Sequence, residues 1–190
     1  MTDAREYLKT RRTISAAFLG DPAPDGDQLN EILTIASRVP DHGKLTPWRF
    51  VVFSGESRLQ AGAALALRYA EINPDAEEKL LAWERNQFAK APLVVAVVSR
   101  AAPHVKIPEF EQLLSAGAVA MNLVHGTHAL GFAAQWVTGW FVYDDTAGRI
   151  LGLQTGERLV AIVHIGTPSV PPVDRPRPPL ADIVSNWSPA

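Results

Sequence analysis

The chain contains no cysteine among its 190 residues. This absence excludes disulfide bonds, thiolate metal sites and a cysteine nucleophile. Any redox chemistry must therefore come from a bound cofactor. A chain without disulfides also fits the cytoplasm, which is the compartment we expect.

The chain also lacks an excess of charge of either sign. It has 18 Lys and Arg against 20 Asp and Glu, and its formal net charge is −2. Such a balance does not indicate a surface for nucleic acid or anionic lipid, so we expect neither partner. Residues 1–7 are polar and lack the apolar core of a signal peptide. The apolar stretch 113–134 is interrupted by Asn122, His125 and His128, which indicates a buried helix rather than a membrane span.

Several catalytic and phosphate-binding fingerprints are missing. There is neither Gly-x-Gly-x-x-Gly after a strand nor a Walker sequence. No serine lies in a nucleophile elbow, so no hydrolase triad is predicted. His125 and His128 share a helix face, but a metal site needs at least three ligands. We therefore interpret them as core or interface residues and expect no metal.

What is present is an α+β pattern of helices and strands. Periodicity predicts helices over 3–12, 27–39, 57–70, 75–90 and 109–130, and strands over 49–54, 92–99, 132–138 and 158–165. Thr2 or Asp3 can cap the first helix and Asp25 or Asp27 the second. The order is not a regular βαβ repeat. We predict a three-layer sandwich with a small mixed or antiparallel sheet, forming one domain over residues 1–190.

The predicted helix over 109–130 would be about 33 Å long. It is apolar almost all round, which is typical of a helix buried on every side. In a chain of this size, such burial is easiest when a second subunit covers one face, so we expect a homodimer. The proline-rich segment from Thr167 to Arg177 begins an extended arm over 167–190, which we expect to wrap over another surface such as the partner subunit.

Two basic clusters lie near opposite ends of the chain. The first is Arg11, Arg12 and Thr13, and the second is Arg175 and Arg177. The planar guanidinium fits a phosphate through two parallel hydrogen bonds, and a Thr hydroxyl adds a further donor. We hypothesise that the first cluster binds the phosphate of a cofactor and that the second completes the site. The alternatives are a basic helix end and a tail in solvent.

A third polar group surrounds Pro40. Arg38, His42 and Lys44 could donate hydrogen bonds to a planar heteroaromatic ring, or they could simply face water. His42 could also act as a general acid or base, because its ordinary pKa lies near neutrality. Sequence spacing identifies no carboxylate partner for that role.

In combination, these motifs resemble the FMN-dependent nitroreductases, especially their small bacterial branch. The matching segments keep the family's order: Arg11-Arg12-Thr13, Arg38-Val-Pro-Asp-His42, Thr46-Pro-Trp48, Glu111 to Asn122, Trp136-Val-Thr138-Gly139 and Arg175-Pro-Arg177. The resemblance covers residues 5–185. It departs at Lys44 and Thr46, where the family often has Asn and Gln. Lys44 could instead stabilise negative charge on a reduced flavin.

The resemblance implies a homodimer with two FMN molecules at its interface. It also implies a ping-pong reaction, in which NAD(P)H reduces the flavin and the flavin reduces a nitroaromatic, quinone or similar acceptor. No catalytic side chain is assigned, because the flavin carries the chemistry. A protein that binds FMN without turnover, as a carrier or sensor, is the alternative on the same fold. A non-catalytic helical dimer is a third possibility.

Carried over by position, the family's site residues fall into four groups. Arg11, Arg12, Thr13, Arg175 and Arg177 would hold the phosphate and ribityl chain. Arg38 and His42 would reach FMN, either in the same subunit or in the other one. Trp136, Val137 and Thr138 would line the flavin. A stretch near NAD(P)H would comprise Gly126, Thr127, His128, Ala129, Leu130 and Gly131.

Overall fold

The computed structural model describes residues 3–189, within which there are six α-helices and five β-strands. The helices are α1 (Ala4–Thr10), α2 (Gly26–Ala36), α3 (Glu56–Ile72), α4 (Glu78–Arg85), α5 (Glu109–Ala129) and α6 (Asp145–Ile150). The strands are β1 (Leu19–Gly20), β2 (Trp48–Ser54), β3 (Leu93–Ser99), β4 (Ala133–Val137) and β5 (Arg158–Pro168). No helix within residues 3–189 is long and apolar enough to cross a membrane.

The described chain forms two compact units. The larger comprises Thr13–Val170 and contains the whole sheet together with α2 to α6. The smaller joins the two chain ends, up to Arg12 and from Pro171 onward. Among the described residues, this terminal unit consists of α1 and, from the other end of the chain, an extended tail that contains the short 3-10 turn Leu180–Asp182.

The sheet is antiparallel at every strand pair described within residues 3–189. β5 pairs with β3, β4 and β1, and β3 also pairs with β2. All seven residues of β3 are buried. A central strand with helices on both faces reads as such a continuous apolar run, which is why its sequence predicted it so clearly. The α+β sandwich is confirmed.

The two faces of the sheet have different cores. On the aliphatic face, Val95, Val97, Val163 and Ile165 pack with small and aliphatic residues of α2 and α5. On the aromatic face, Val94 and Ile162 pack with a cluster that contains Phe53, Phe88 and Phe141. Because strand side chains alternate, each of β3 and β5 contributes to both cores.

Within a single chain, α5 is buried or half-buried over residues 115–128 and exposed in its first turns. Ala116, Val119, Ala120 and Leu123 are fully buried. Phe110, Leu113 and Leu114 are exposed, and their helical spacing places them on a common face. Only a second chain or another partner could cover this exposed face of the first turns.

Several predicted boundaries differ from the structure. Only Glu78–Arg85 of the predicted helix 75–90 is helical, because residues 86–92 turn to enter β3. The helix predicted to reach Val39 ends at Ala36, where the Ser37 hydroxyl donates to Leu33 O. The short strand β1 is absent from the predicted strands. It forms by pairing with Thr167 and Pro168, which extends β5 into the predicted arm.

Two helix caps have the predicted chemistry. The Asp25 carboxylate accepts the backbone N–H of Gln28, whose side chain accepts the Asp25 N–H, forming a capping box. Asp3 caps α1 by accepting from Arg5 N. Thr2, the other predicted cap, lies outside the described residues.

Candidate functional site

A cavity of about 410 Å³ opens on the aromatic face, beside the C-terminal end of β4. Val137 and Thr138, two of the predicted flavin residues, line it. The remaining lining residues lie before β1, on α4 and the segment after it, on β4 and the loop after it, and on β5: Ser15–Ala17, Trp83, Glu84, Gln87, Phe88, Lys90, Gln135, Gly139–Phe141 and His164. We call this space the ring cavity.

Strand alternation decides which predicted residues of β4 reach the ring cavity. Val137 faces the aromatic core, whereas Trp136, opposite Val163, points to the other side and is 37% exposed. Gly139 follows directly. A Cβ at Gly139 would lie 2.6 Å from the Phe141 ring, so the close turn into the 3-10 helix Trp140–Val142 needs glycine. Trp136 therefore does not line the cavity within one chain.

Glu84 is a charged residue with little access to solvent, since only 4% of it is exposed. Its Oε2 accepts a hydrogen bond from Trp140 Nε1 at 3.0 Å. Burial raises the pKa of the Glu84 carboxyl, while the Trp140 bond and the nearby Lys90 act in the opposite direction. The cavity thus contains a carboxyl group that ionises less readily than usual.

Lys90 is the cation of the ring cavity. Its Nζ donates to Gln87 Oε1 at 2.7 Å and lies 4.6 Å from the centre of the Trp83 ring, within cation–π range. Burial lowers the pKa of Lys90, and the charge of Glu84 partly opposes that shift. Carboxylate and ammonium partly compensate each other in the cavity.

His164 lies on β5 and lines the cavity, with its ring 6.3 Å from the Phe88 ring. Only 4% of it is exposed, and its Nδ1 is buried with no hydrogen-bond partner among the described residues. Burial, followed by the charge of Lys90, lowers its pKa to about 4. The imidazole is therefore neutral at physiological pH. An unpartnered buried nitrogen is costly, and in native structures it commonly marks a place for a ligand or water.

Sequence reasoning missed most of the polar cavity lining. Ser15, Glu84, Lys90 and His164 belong to no motif that we recognised. One weak signal was present: His164 interrupts an otherwise apolar central strand, and a buried imidazole there requires a partner.

The loop with Arg38 and His42 is attached to α5 and not to the ring cavity. His42 Nδ1 lies 2.8 Å from Glu111 Oε2, which is the carboxylate that sequence spacing did not identify. Asn122 Nδ2 donates to Arg38 O at 2.9 Å, and Ser115 Oγ donates to Pro40 O. Within one chain, the structure therefore does not bring these residues together with Thr138.

The same loop has an unusual backbone. The two Asp41 carboxylate oxygens accept the N–H groups of Leu45 and Thr46. Lys44 and Thr46 adopt left-handed φ angles of 54° and 47°, as Gly43 does at 72°. Side chains with a Cβ rarely adopt this region, although Asn tolerates it better than most. Lys44 is exposed and belongs to this constrained turn.

The four predicted phosphate arginines lie in the terminal unit. Arg12 Nε donates to Val173 O at 3.0 Å and lies 3.5 Å from Asp174 Oδ1. The first basic cluster thus contacts the C-terminal tail that carries the second. Arg11 is half-buried, whereas Arg175 and Arg177 are exposed. Thr13, also exposed, begins the larger unit.

The predicted NAD(P)H stretch forms the end of α5 and the turn after it. Gly126 and Thr127 are buried, and a Cβ at Gly126 would lie 3.2 Å from Ile32 O of α2. Thr127 Oγ1 donates to Leu123 O, while Gly131 has a φ of +87° that favours glycine. This stretch does not line the ring cavity, and its assignment stays a prediction.

A larger groove of about 620 Å³ shares Thr138 with the ring cavity. Phe141 and Leu159 contribute to its apolar walls, and Arg149 and Arg158 are exposed along it. Across residues 3–189, no group of three or more acidic or histidine side chains is placed to hold a metal ion.

Comparison with known proteins gives consistent matches over most of the chain. The sequence model of the Nitroreductase family matches residues 8–167. The chain is 34% identical, over 88% of its length and 90% of the relative's, to the "Putative NAD(P)H nitroreductase YdjA" of Escherichia coli strain K12.

Solved structures share the fold at lower identity. A nitroreductase-like protein from Bacillus cereus superimposes with a TM-score of 0.84 at 24% identity, covering 98% of this chain and 97% of that one. A mutant form of NfnB from Sphigopyxis sp. strain HMH, described as an FMN- and NADPH-dependent nitroreductase, gives 0.72 at 21% identity, covering 97% and 98%.

Proposed function

Because this chain belongs to the nitroreductase family, we propose that it is an FMN-dependent oxidoreductase that takes hydride from NAD(P)H. In a ping-pong cycle, the electrons then pass to a nitroaromatic, a quinone or a similar acceptor. The observation that carries the proposal is the ring cavity, in which Val137 and Thr138 meet a buried, unpartnered His164 nitrogen. FMN, when bound, supplies the redox chemistry, and the protein supplies binding, orientation and electrostatics.

The ring cavity fits part of a flavin ring system in size and chemistry. Its volume of about 410 Å³ falls within the usual range for small-molecule sites. Phe88, Val137 and Phe141 provide apolar walls for a planar ring. Thr138 and His164 provide polar groups, and a ring acceptor or donor would give His164 Nδ1 the partner that it lacks. With the ring bound, these residues would exclude water from it and orient it.

The terminal unit carries the proposed phosphate ligands. Arg12 uses only its Nε for Val173 and Asp174, so its two terminal nitrogens make no hydrogen bond among the described residues. They remain able to bind two phosphate oxygens in parallel. We assign the phosphate to Arg11 and Arg12 together with Arg175 and Arg177, and the ribityl chain to Thr13.

The exposed apolar residues of α5 support a homodimer. Phe110, Leu113 and Leu114 would be covered by a second copy. Glu111, which holds His42, lies between them on the same helix. Arg38 and His42 are therefore near the proposed interface, and we assign them to the FMN of the partner subunit, along with Trp136. We keep 126–131 as the proposed NAD(P)H stretch.

Flavin binding by the substituted protein tests the assignment. Replacing both Arg11 and Arg12 by Ala removes two phosphate ligands, and we expect FMN affinity to fall at least about tenfold, since each charge-assisted hydrogen bond contributes about 1.5–3 kcal/mol. The matched control is Arg5→Ala with Lys9→Ala, which removes two exposed charges from α1. Apoprotein would be titrated with FMN and its fluorescence followed. Equal affinities in the two double variants would contradict the phosphate assignment.

A further inference from the structure

The ring cavity contains ionisable groups that the proposed function does not yet use. Glu84 contributes a buried carboxylate, of which only Oε2 has a hydrogen-bond partner among the described residues. Lys90 faces it from the segment after α4, and the neutral His164 faces the cavity from β5. These three residues set the charge inside the cavity.

The elements around Glu84 offer little further charge. From α3, Arg58 donates to the carbonyls of Ala89 and Ala91, and Tyr69 packs edge-on against Trp140 at 5.3 Å. On its own helix, the neighbouring residue Arg85 has its Nη1 3.9 Å from Glu78 Oε1. Lys90 is therefore the main counter-charge, and its ammonium is already engaged with Gln87 and the Trp83 ring.

Because the cavity is poorly solvated, the charge of Glu84 acts strongly on a ligand bound beside it. A flavin ring is uncharged when oxidised and acquires negative charge when it is reduced at neutral pH. Two like charges a few ångströms apart repel strongly where the effective dielectric is low. An ionised Glu84 would oppose the reduced ring, whereas a protonated Glu84 would not.

We propose that Glu84 determines which redox state of the flavin the ring cavity prefers. Its negative charge makes the cavity bind the oxidised ring more tightly than the reduced ring. This inference rests on the proposed function. If bound FMN receives a hydride, which is two electrons and one proton released as the C–H bond of NAD(P)H breaks, the Glu84 carboxylate would take up one further proton from solvent water and become neutral. Lys90 acts in the opposite sense and limits the preference.

The test is the affinity of each protein for oxidised and reduced FMN, measured anaerobically with dithionite-reduced FMN. Glu84→Gln keeps the size and the acceptor for Trp140 but removes the charge. At about pH 8 we expect oxidised FMN to bind within about threefold of the unsubstituted protein and reduced FMN at least about tenfold tighter. Such a tenfold change raises the two-electron potential by about 30 mV. The matched control is Glu78→Gln, an exposed residue of the same helix.

The pH dependence of the affinity for reduced FMN shows whether Glu84 acts through its charge or through the shape of its side chain. As pH falls, the unsubstituted protein should approach Glu84→Gln, because burial raises the pKa of the Glu84 carboxyl and a protonated carboxyl is as neutral as an amide. Trp140→Phe is a second variant that keeps an aromatic ring but removes the N–H bonded to Glu84. It should move this convergence to higher pH, because the lost bond stabilises the carboxylate.

The outcomes distinguish this inference from the proposed function. If Glu84→Gln and the unsubstituted protein bind FMN with the same preference for oxidised over reduced ring at about pH 8, the role of Glu84 is refuted and FMN binding stands. If none of the proteins binds FMN, the proposed function falls and the inference falls with it.

Discussion

The two faces of the sheet are formed by the same strands but differ in how completely they are packed. On the aliphatic face, Val163 and Ile165 of β5 pack against α2 and α5 with full burial. On the aromatic face, the alternate residue Ile162 packs in the aromatic core, and His164 lines a cavity of about 410 Å³. One face is filled, and the other retains a cavity together with the ionisable groups Glu84, Lys90 and His164.

This difference separates stability from function. Filled aliphatic cores stabilise a fold, whereas a cavity and an unpartnered buried nitrogen destabilise it. Such features persist in native proteins where a ligand uses them. Substitutions in the filled core of the aliphatic face should therefore reduce stability and leave cofactor affinity unchanged. Substitutions of residues that line the ring cavity should change cofactor affinity.

The largest effect is expected on the aliphatic face. Leu123→Ala removes a fully buried side chain of α5, and we expect a loss of about 2–5 kcal/mol in the free energy of unfolding. FMN affinity should stay within about threefold, which is small beside the tenfold that corresponds to about 1.4 kcal/mol. Urea unfolding and FMN titration would measure both. Leu67→Ala, at an exposed position of α3, is the control.

A pH-dependent effect is expected on the aromatic face. In the folded protein the pKa of His164 is about 4, below the 6.5 of an unperturbed imidazole. Between these values the unfolded chain binds more protons, so stability falls as pH falls from about 6.5 to about 4. A difference of about 2.5 pKa units corresponds to about 3 kcal/mol. His164→Leu should abolish this part of the acid lability.

Other groups contribute to acid lability in both proteins. Hydrogen bonds from Arg68 and Arg49 lower the pKa values of Asp144 and Glu157, and the stability that they provide is also lost as pH falls. Only the difference between the unsubstituted protein and His164→Leu therefore reports on His164. Parallel pH profiles of the unfolding free energy would contradict the assigned pKa. FMN affinity should fall in this variant if His164 binds the ring.

A close contact between α3 and the backbone of α4 affects both the stability of the fold and the ring cavity. A Cβ at Gly62 of α3 would lie 2.2 Å from Arg85 O of α4. Gly62→Ala must therefore displace the helix that carries Glu84, and we expect a loss of about 1–3 kcal/mol. FMN affinity should fall together with stability, unlike in Leu123→Ala. Gly26→Ala, where the added Cβ meets nothing within 4 Å, should leave both intact.

The smallest effect is expected in the loop held by α5. Lys44 has a left-handed φ of 54°, which costs residues with a Cβ about 1–2 kcal/mol and Asn somewhat less. Lys44→Asn should raise the unfolding free energy by a few tenths of a kcal/mol and not more than about 1 kcal/mol. Thermal unfolding would detect it. A decrease would mean that the Lys44 side chain makes a stabilising contact.

The sequence predicted what depends on local pattern. The apolar run of β3, the periodicity of α5 and the Asp25 cap are each encoded within a few neighbouring residues. Val137 and Thr138 were predicted as flavin residues from an ordered set of family motifs, and both line the ring cavity; their role stays a prediction.

What the sequence could not predict depends on long-range packing. Glu84, Trp140 and His164 lie far apart in the chain and meet only because α4, the loop after β4 and β5 converge on the aromatic face. Burial then shifts the pKa of Glu84 and His164, and no local pattern contains that information. The short strand β1 was missed for the same reason, since two residues form a strand only through a distant partner.

The most direct test of the central claim is an anaerobic titration of the FMN-loaded protein with NADH and, separately, with NADPH. The proposed function predicts that the absorbance of the oxidised flavin bleaches in proportion to the nicotinamide added, with at least one of the two. It also predicts that a nitroaromatic or a quinone then restores the absorbance. A protein that binds FMN but is bleached by neither nicotinamide would contradict the claim and indicate a carrier or sensor instead.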